Sequence, residues 1–579
     1  MRISTRLRAR VRRLARHRRQ PARPLERVPS ELEFWDLVVR CARHAGATRA
    51  AVLIDREHNR LPRRIRRRLR DVEVVPFDAS NGTDDLCLAM AASGPFDLIV
   101  EDTRGPGRVD RVMTVFFLVR RGGFIVVRRR PKAAPGAGKK RRARRIARAE
   151  AEALSDLVRT VTAWSLARAL PRVPKPDDDT ERLADAVSSM ELVAGHLALR
   201  SGVDAKVKVR ESEATHLLEV VDPALGSVVS ERPGGEVRRQ GYVRQYPVLH
   251  PRVEIATLLA PAVQLREYVN VVCSRGQVVT SGRWILPDTY RHNYRKRLVN
   301  RQMRELGPRF AAMEGPLEPT YLEGPFFHVD GEFQGHFGHM MTEQVSRLWA
   351  WEEAKRREPG LKALLLQRGR NELSSFEVEL LGGAGIDAED ILFARGPVLV
   401  ERLLSATPMF SQPGYLHPEI TDLWDRMADR LTISIDQRDR PTRVFCSRKV
   451  GKRNCHNSAE VEQLFADHGF AIIYPEDHSI GEQVAIFRHL RVVAGFAGSA
   501  MFNLVWPSTP KRVILVSHES YTARNEYLIA AARGHDIDVT WSLPDVPHGE
   551  RNTRKRFQSD FTFDMAREGA HLRRVLADL

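Results

Sequence analysis

Apolar positions along this chain alternate between two spacings. In "ELEFWDLVVRCARHAG" (31–46) they recur every three or four residues, which predicts an amphipathic helix, whereas "RAAVLID", "DVEVVPFD", "FDLIVED" and "GGFIVVRR" are short apolar runs of the kind that makes strands buried on both faces. Strands of this type separated by helices predict a parallel sheet over residues 31 to 130. "ERLADAVSSMELVAGHLALR" is read as a further helix, opened by a solvated turn that carries Asp177, Asp178 and Asp179. From about 205 the pattern becomes β-rich in "HLLEVVD", "EIATLLAP" and "VQLREYVNVVCSRGQVVTSG". It returns to α/β in the helix opened by "GHFGHMMTEQVSRLWAW" and in "ALLLQRG", "SSFEVELLGGAGI" and "VERLLSATPM".

The most regular stretch begins at 441. Strands "TRVFCSR", "FAIIYPED", "RVVAG", "KRVILVS" and "IDVTW" alternate with helices "SAEVEQLFADHG", "SIGEQVAIFRHL", "SAMFNLVW" and "YTARNEYLIAAARG". Ser479 with Glu482 three residues on is a capping box. Such alternation predicts a doubly wound half-domain, whose ligands bind in the loops beyond the carboxyl ends of its strands.

With 579 residues the chain exceeds what one core holds, so more than one domain is expected. The pattern divides it into a basic arm (1–30), an α/β domain (31–165), a linker and helix (166–204), and two further halves (205–435 and 436–579, the latter with a C-terminal helix). Nowhere do about eighteen apolar residues run together, and arginines occupy the place of a signal peptide's apolar stretch. The five cysteines show no C-x-x-C spacing, as in a reducing compartment. A cytoplasmic protein is the expectation.

The net charge of +20 sits at the front. Residues 1–150 hold 38 Lys and Arg against 16 Asp and Glu, so the remainder is close to neutral. In "MRISTRLRARVRRLARHRR" apolar residues fall at helical spacing among arginines. That pattern fits a helix on an anionic membrane surface, an arm for nucleic acid, or a solvated tail. Two linkers follow, "RRRPKAAPGAGKKRRARRIARAE" and "PRVPKPDDDTER".

Two loops of the C-terminal half carry candidate chemistry. "CSRKVGKRNCHNS" gathers Arg448, Lys449, Lys452 and Arg453 just after a strand, enough positive charge for a diphosphate; the other reading is a solvated loop. In "RVVAGFAGSAMFN", Gly495 and Gly498 end a strand and lead to a helix start at Ser499, which suits a phosphate or close packing. Earlier, His339, Glu343 and Arg347 recur every fourth residue, so Glu343 is placed to hold His339 as a general base. His336 is a second candidate or a turn residue. Gly335 and Gly338 leave room for an acceptor near the backbone.

These pieces, in this order and spacing over roughly residues 205 to 550, resemble glycosyltransferase family 61. His339 and Glu343 match one motif of that family, Ser447 and Arg448 a second, then Arg453 and Asn457, then Pro475, Glu476, Glu482 and Gln483, and finally Gly495, Gly498, Ser499 and Asn503. Ala497 stands where many members carry His, Ser458 where they carry Glu, and Met340 where they carry Trp. The resemblance implies a GT-B fold of two Rossmann-like halves and an inverting transfer from a nucleotide-sugar to a glycan or lipid-linked acceptor. It also implies no obligatory metal ion and no cofactor, and the region offers no convincing D-x-D. Residues 31–165 resemble the second half of a class I S-adenosylmethionine-dependent methyltransferase. However, "AAVLIDREHNRLPRR" lacks that family's glycine-rich loop, so a degenerate, non-catalytic domain is expected.

The resulting expectation is an α/β glycosyltransferase of surface or capsular polysaccharide synthesis, cytoplasmic and peripheral at the inner face of the membrane through residues 1–28. His339, Glu343 and His336 are its catalytic candidates. Arg448, Lys452, Arg453, Asn457, Glu476, Gln483, Gly495, Gly498, Ser499 and Asn503 are its donor-binding candidates. Two other readings are a non-catalytic protein that grips nucleic acid or another polyanion through the basic arm and linker, and a working methyltransferase.

Overall fold

The strands expected between residues 49 and 127 form and pair in parallel. In the computed structural model, the residues described are 31–55, 60–80, 82–103, 107–129, 140–168, 175–247, 253, 255–315, 318–436, 438, 440–449, 451–547 and 553–579. The basic arm, and with it the three readings of its partner, lies outside the described residues, as do positions 130–139 and 169–174 of the two linkers. The chain divides into two units. The first takes residues up to 222 together with 280–286 and 296–316, and the second takes 223–279, 287–295 and 317–579.

In the first unit, β1 (Arg49–Ile54) lies between β2 (Glu73–Asp78) and β3 (Phe96–Glu101), and β4 (Val119–Val127) continues the parallel set. The near-continuous apolar runs are buried, as strands covered on both faces require. The helix expected over "ERLADAVSSMELVAGHLALR" is a correction. Only Asp179–Ala186 is helical, capped by the Asp178 side chain that accepts from the Glu181 N–H at 2.9 Å. The rest is a hairpin of β5 (Val187–Val193) and β6 (His196–Ser201), with β6 antiparallel to β4. Ala194 and Gly195 both take positive φ, 49° and 84°, the backbone of a two-residue turn whose twist suits a hairpin. A second correction concerns "HLLEVVD", which is helical over Ala214–His216 and continues as a wider turn over Leu217–Val221. Ala214, Leu217 and Leu218 are buried at helical spacing, so one-sided burial decides it.

At the carboxyl edge of β3, two arginines are paired within the chain. Arg108 Nε donates to buried Glu101 at 2.5 Å, its other nitrogen donates to the Arg128 carbonyl at 2.6 Å, and Arg128 donates to Asp102 at 3.3 Å.

Besides two small two-stranded sheets, the second unit carries two large ones. In one, β8 (Thr320–His328) lies between β11 (Val398–Ala406) and β9 (Lys362–Leu366), with β10 (Ile391–Ala394) beyond. These four are parallel, and β7 (Val263–Ser274) runs antiparallel beside β11. The other follows the order β13 (Ala471–Ile473), β12 (Arg443–Cys446), β14 (Val492–Phe496), β15 (Arg512–His518), β16 (Asp536–Ser542), then Val243–Tyr246, every pair parallel. The doubly wound half-domain expected from the alternation is therefore present. Val444, Val493, Leu515 and Val539 face one apolar core that also takes Leu265, Phe327 and Leu365 of the first sheet, while Phe445, Ala494 and Val516 face another. Alternate residues serve opposite faces, as strand geometry dictates. The Ser479 capping box is formed.

Among the described residues no helix is long and apolar enough to cross a membrane. All five cysteines are free and buried.

Candidate active site

The chain leaves β8 through "VDGEFQ", and this turn is pinned from within. Asp330, fully buried, accepts the Gln277 N–H at 2.9 Å and a hydrogen bond from Gln334. Burial pushes its carboxyl up to about 6 against those donors. After the turn a helical segment runs from Phe337 to Arg357 with uneven winding: it is widened over Met340–Gln344 and tightened over Val345–Ala350. Wide turns of this kind occur often at functional sites. Residues 340–351 are all buried, so this stretch has no wet side.

At its start, His339 Nδ1 lies 2.8 Å from Glu343 Oε1, the contact that the four-residue spacing predicts. Arg291 also grips Glu343, with Nε at 3.0 Å and a second, short hydrogen bond. Burial raises the Glu343 carboxyl, but the hydrogen bond from His339 and the charge of Arg291 outweigh it and hold it down to about 2. An ionised carboxylate only accepts, so Nδ1 carries the imidazole proton and Nε2 is left as the basic nitrogen. Arg291 approaches Nδ1 to 3.4 Å, a meeting of two donors. The Phe333 ring stacks on the imidazole at 4.3 Å and 14°, and the Arg291 guanidinium lies 4.9 Å from the Phe333 centroid. His339 is thereby fixed in rotamer and tautomer with a quarter of its side chain exposed. Arg347 does not join it and donates instead to the Asp330 carbonyl at 3.0 Å.

The arginine loop follows β12 and the glycine turn follows β14. These two strands are adjacent and lie where the sheet's order reverses, the position at which open α/β sheets take their ligands. Arg448 Nη2 donates to the Ala497 carbonyl at 2.8 Å and so ties the two loops together. Its other hydrogen bonds also end on carbonyls, those of Lys452 and Arg453. Burial, then the like charge of Arg453, lowers Arg448 to about 10. Gly498 has φ 151°, a backbone open to glycine, and a Cβ there would lie 3.0 Å from Arg453 Nη2 and 3.5 Å from Arg448 Nη2. Arg453 packs over Tyr521 at 4.5 Å and Phe557 at 5.6 Å. Lys452 is exposed. Lys449 turns away to Asp477, and its N–H donates to Glu476 at 2.9 Å.

The helix expected at Ser499 is a seven-residue 3₁₀ turn, Ser499–Val505, which corrects the idea of a helix N-terminus facing a phosphate. So short a turn aligns few peptide dipoles. The Gly498 N–H is moreover taken by the carboxyl of Glu526, which burial raises to about 7. Positive charge at this edge rests on arginine and lysine side chains.

The histidine segment and the two loops meet. A Cβ on Gly338 would lie 2.9 Å from the Ser499 Cβ and 3.0 Å from the Phe502 ring, so the glycine allows that contact. His336, exposed, is turned edge-on to His339 at 4.7 Å. Partial burial of its ring, His339 and the charge of Lys452 lower its pKa.

Other predicted donor residues sit behind this edge. Asn503 and Gln483 are buried and bonded to each other at 2.8 Å. Gln483 also donates to the Pro475 carbonyl at 2.8 Å, and Asn503 accepts from Trp506 at 2.8 Å. Asn457 exchanges hydrogen bonds with the backbone of Phe563, and Gly495 leaves room for Cys446 and Met501. They hold the loops in place. Sequence reasoning passed over Arg291, Phe333, Asp330, Tyr521 and Glu526. The cation- and aromatic-rich "YRHNYRKR" was a usable signal for Arg291; nothing in the local sequence marks Glu526. Among the described residues no group of three or more His, Cys, Asp and Glu side chains is placed to hold a metal ion.

A mixed α/β protein with a cation-rich edge beside an oriented imidazole is the class these observations define. The sequence model of the family Glycosyltransferase 61 matches residues 337–515, a span that holds both the histidine segment and the two loops. The chain therefore carries a glycosyltransferase domain, and an enzyme of that class takes a sugar donor and an acceptor. Among solved structures it is similar to the MycE methyltransferase from the mycinamycin biosynthetic pathway in complex with Mg and SAH. That match is 14% identical at a TM-score of 0.22, covering 29% of this chain and 48% of that one. The chain thus spans about half the length of that protein. A search of curated proteins finds no match.

Proposed function

We propose that this chain transfers a sugar with inversion from a nucleotide-sugar donor to a glycan or lipid-linked acceptor in surface polysaccharide synthesis, using a GT-B arrangement of the second unit's two sheets. The observation that carries the reading is the close approach of Gly338 to Ser499, which brings the histidine segment against the glycine turn. Nε2 of His339 takes the proton of an acceptor hydroxyl as its oxygen attacks the anomeric carbon. The bond from that carbon to the diphosphate breaks, and the diphosphate leaves with the electron pair. Arg448, Lys452 and Arg453 balance the charge that develops on it, in a setting where the hydrogen bonds of Arg448 otherwise end on carbonyls. Glu343 and Arg291 hold the imidazole's tautomer; His336 borders the acceptor side. Asn457, Glu476, Gln483, Gly495 and Asn503 shape the donor pocket from behind, while Gly498 and Ser499 line it.

The reaction is tested with a panel of nucleotide-sugars, reading release of nucleoside diphosphate for the parent, His339→Ala and Arg448→Ala. Turnover in the parent that both substitutions abolish supports the reading. Equal turnover in all three overturns it.

A further inference from the structure

The first unit contains a cavity of about 980 Å³ that the proposed transfer does not use. It is bounded by Pro95 just ahead of β3, Val119 at the start of β4, the segment 202–206 after β6 and the turn Gly282–Arg283. These positions mark the amino edge of the sheet, opposite the carboxyl edge that holds Arg108 and Arg128. Its volume lies in the range of small-molecule sites.

Its lining is unbalanced in charge. Arg120, Arg121, Lys206, Arg283 and Arg304 face only Asp204 and Glu314. Two of the cations are already committed, Arg120 to the buried Asp97 and Arg304 to Asp185 at 3.5 Å. Lys206 and Arg283 instead donate to carbonyls, those of Gly282 and Leu118, and a carbonyl does not neutralise a cation. Burial lowers both, Arg283 to about 10, and Lys206 also feels the charge of Arg283, while the carboxylate of Asp204 offsets part of this for each. Nη1 of Arg283 is buried against Gly94 without a hydrogen-bond partner, and the guanidinium meets no anion among the described residues. Asp204 is exposed, and its carboxylate accepts the Arg121 N–H at 3.1 Å. Two half-buried like charges that repel each other are relieved by one dianion between them.

We propose that this cavity binds a phosphorylated small molecule of sugar size, with the phosphate against Arg283, Lys206 and Arg121. The volume exceeds what a bare phosphate fills, and the cation count suits a dianion better than a carboxylate.

The full chain carrying Arg448→Ala, which silences the other cation-rich edge, is titrated calorimetrically with glucose 1-phosphate, inorganic phosphate and glucuronate. The expected result is saturable binding of glucose 1-phosphate, tighter than either other anion. Adding Lys206→Gln or Arg283→Gln weakens it at least about tenfold, and Asp204→Asn tightens it. Should Arg283→Gln fail to fold, Arg121→Gln, an exposed position, gives the same reading with a smaller loss. Inorganic phosphate or glucuronate binding as tightly as glucose 1-phosphate, or no response to the Lys206, Arg121 and Asp204 substitutions, overturns the proposal.

Discussion

Two doubly wound sheets in this protein meet their carboxyl edges differently. In the first unit, the arginines at the edge of β3 are paired with the chain's own carboxylates, Arg108 with Glu101 and Arg128 with Asp102. In the second, the loops after β12 and β14 present Arg448, Lys452 and Arg453, and Arg448 spends its hydrogen bonds on carbonyls. Both edges are rich in arginine, so arginine content does not separate them. Whether each guanidinium already has a carboxylate does, and function follows the loops and not the fold.

The comparison sharpens through substitutions. The largest effect is expected at His339: His339→Ala lowers sugar transfer by about 10²- to 10⁴-fold while the melting transition stays in place. Next, Arg108→Ala leaves buried Glu101 without its guanidinium, held only by the Thr103 N–H and hydroxyl, and costs about 3–5 kcal/mol of stability, measured by denaturant unfolding, with kcat unchanged. Glu526 yields a pH test of about 3 kcal/mol. Because burial raises its carboxyl to about 7, the stability it confers is full below the ordinary carboxylate range and is lost as pH rises through 7. Glu526→Gln therefore matches the parent at pH 4 and exceeds it at pH 8 in urea midpoint. Smaller still, Gly338→Ala pushes on Ser499 and costs about 1–2 kcal/mol, with a loss of kcat that a purely stabilising role would not produce.

The strands of both doubly wound sheets were legible because runs such as "RVVAG" and "KRVILVS" are apolar between their polar ends, and their loops followed from the alternation. The spacing of His339 and Glu343 named a real contact, yet it also placed Arg347 on the same face, and the widened turn sends that side chain to Asp330. The hairpin at 187–201 was missed because its apolar positions also fit a helical period, and the two positive-φ residues that break it are an alanine and a glycine with no proline or asparagine nearby. Arg291 reaches Glu343 from 52 residues upstream, and Glu526 reaches the glycine turn from the helix after β15. Such contacts are made by tertiary packing and leave no periodic trace.

The central claim is that the arginine loop and the glycine turn hold a diphosphate. Calorimetric titration of the full chain with a panel of nucleoside diphosphates tests it most directly. The account predicts one saturable site for at least one of them, lost at least about tenfold in Arg448→Ala and not restored by Arg448→Lys, with Arg108→Ala binding like the parent. A site that survives Arg448→Ala unchanged, or no binding by any nucleoside diphosphate, would contradict it.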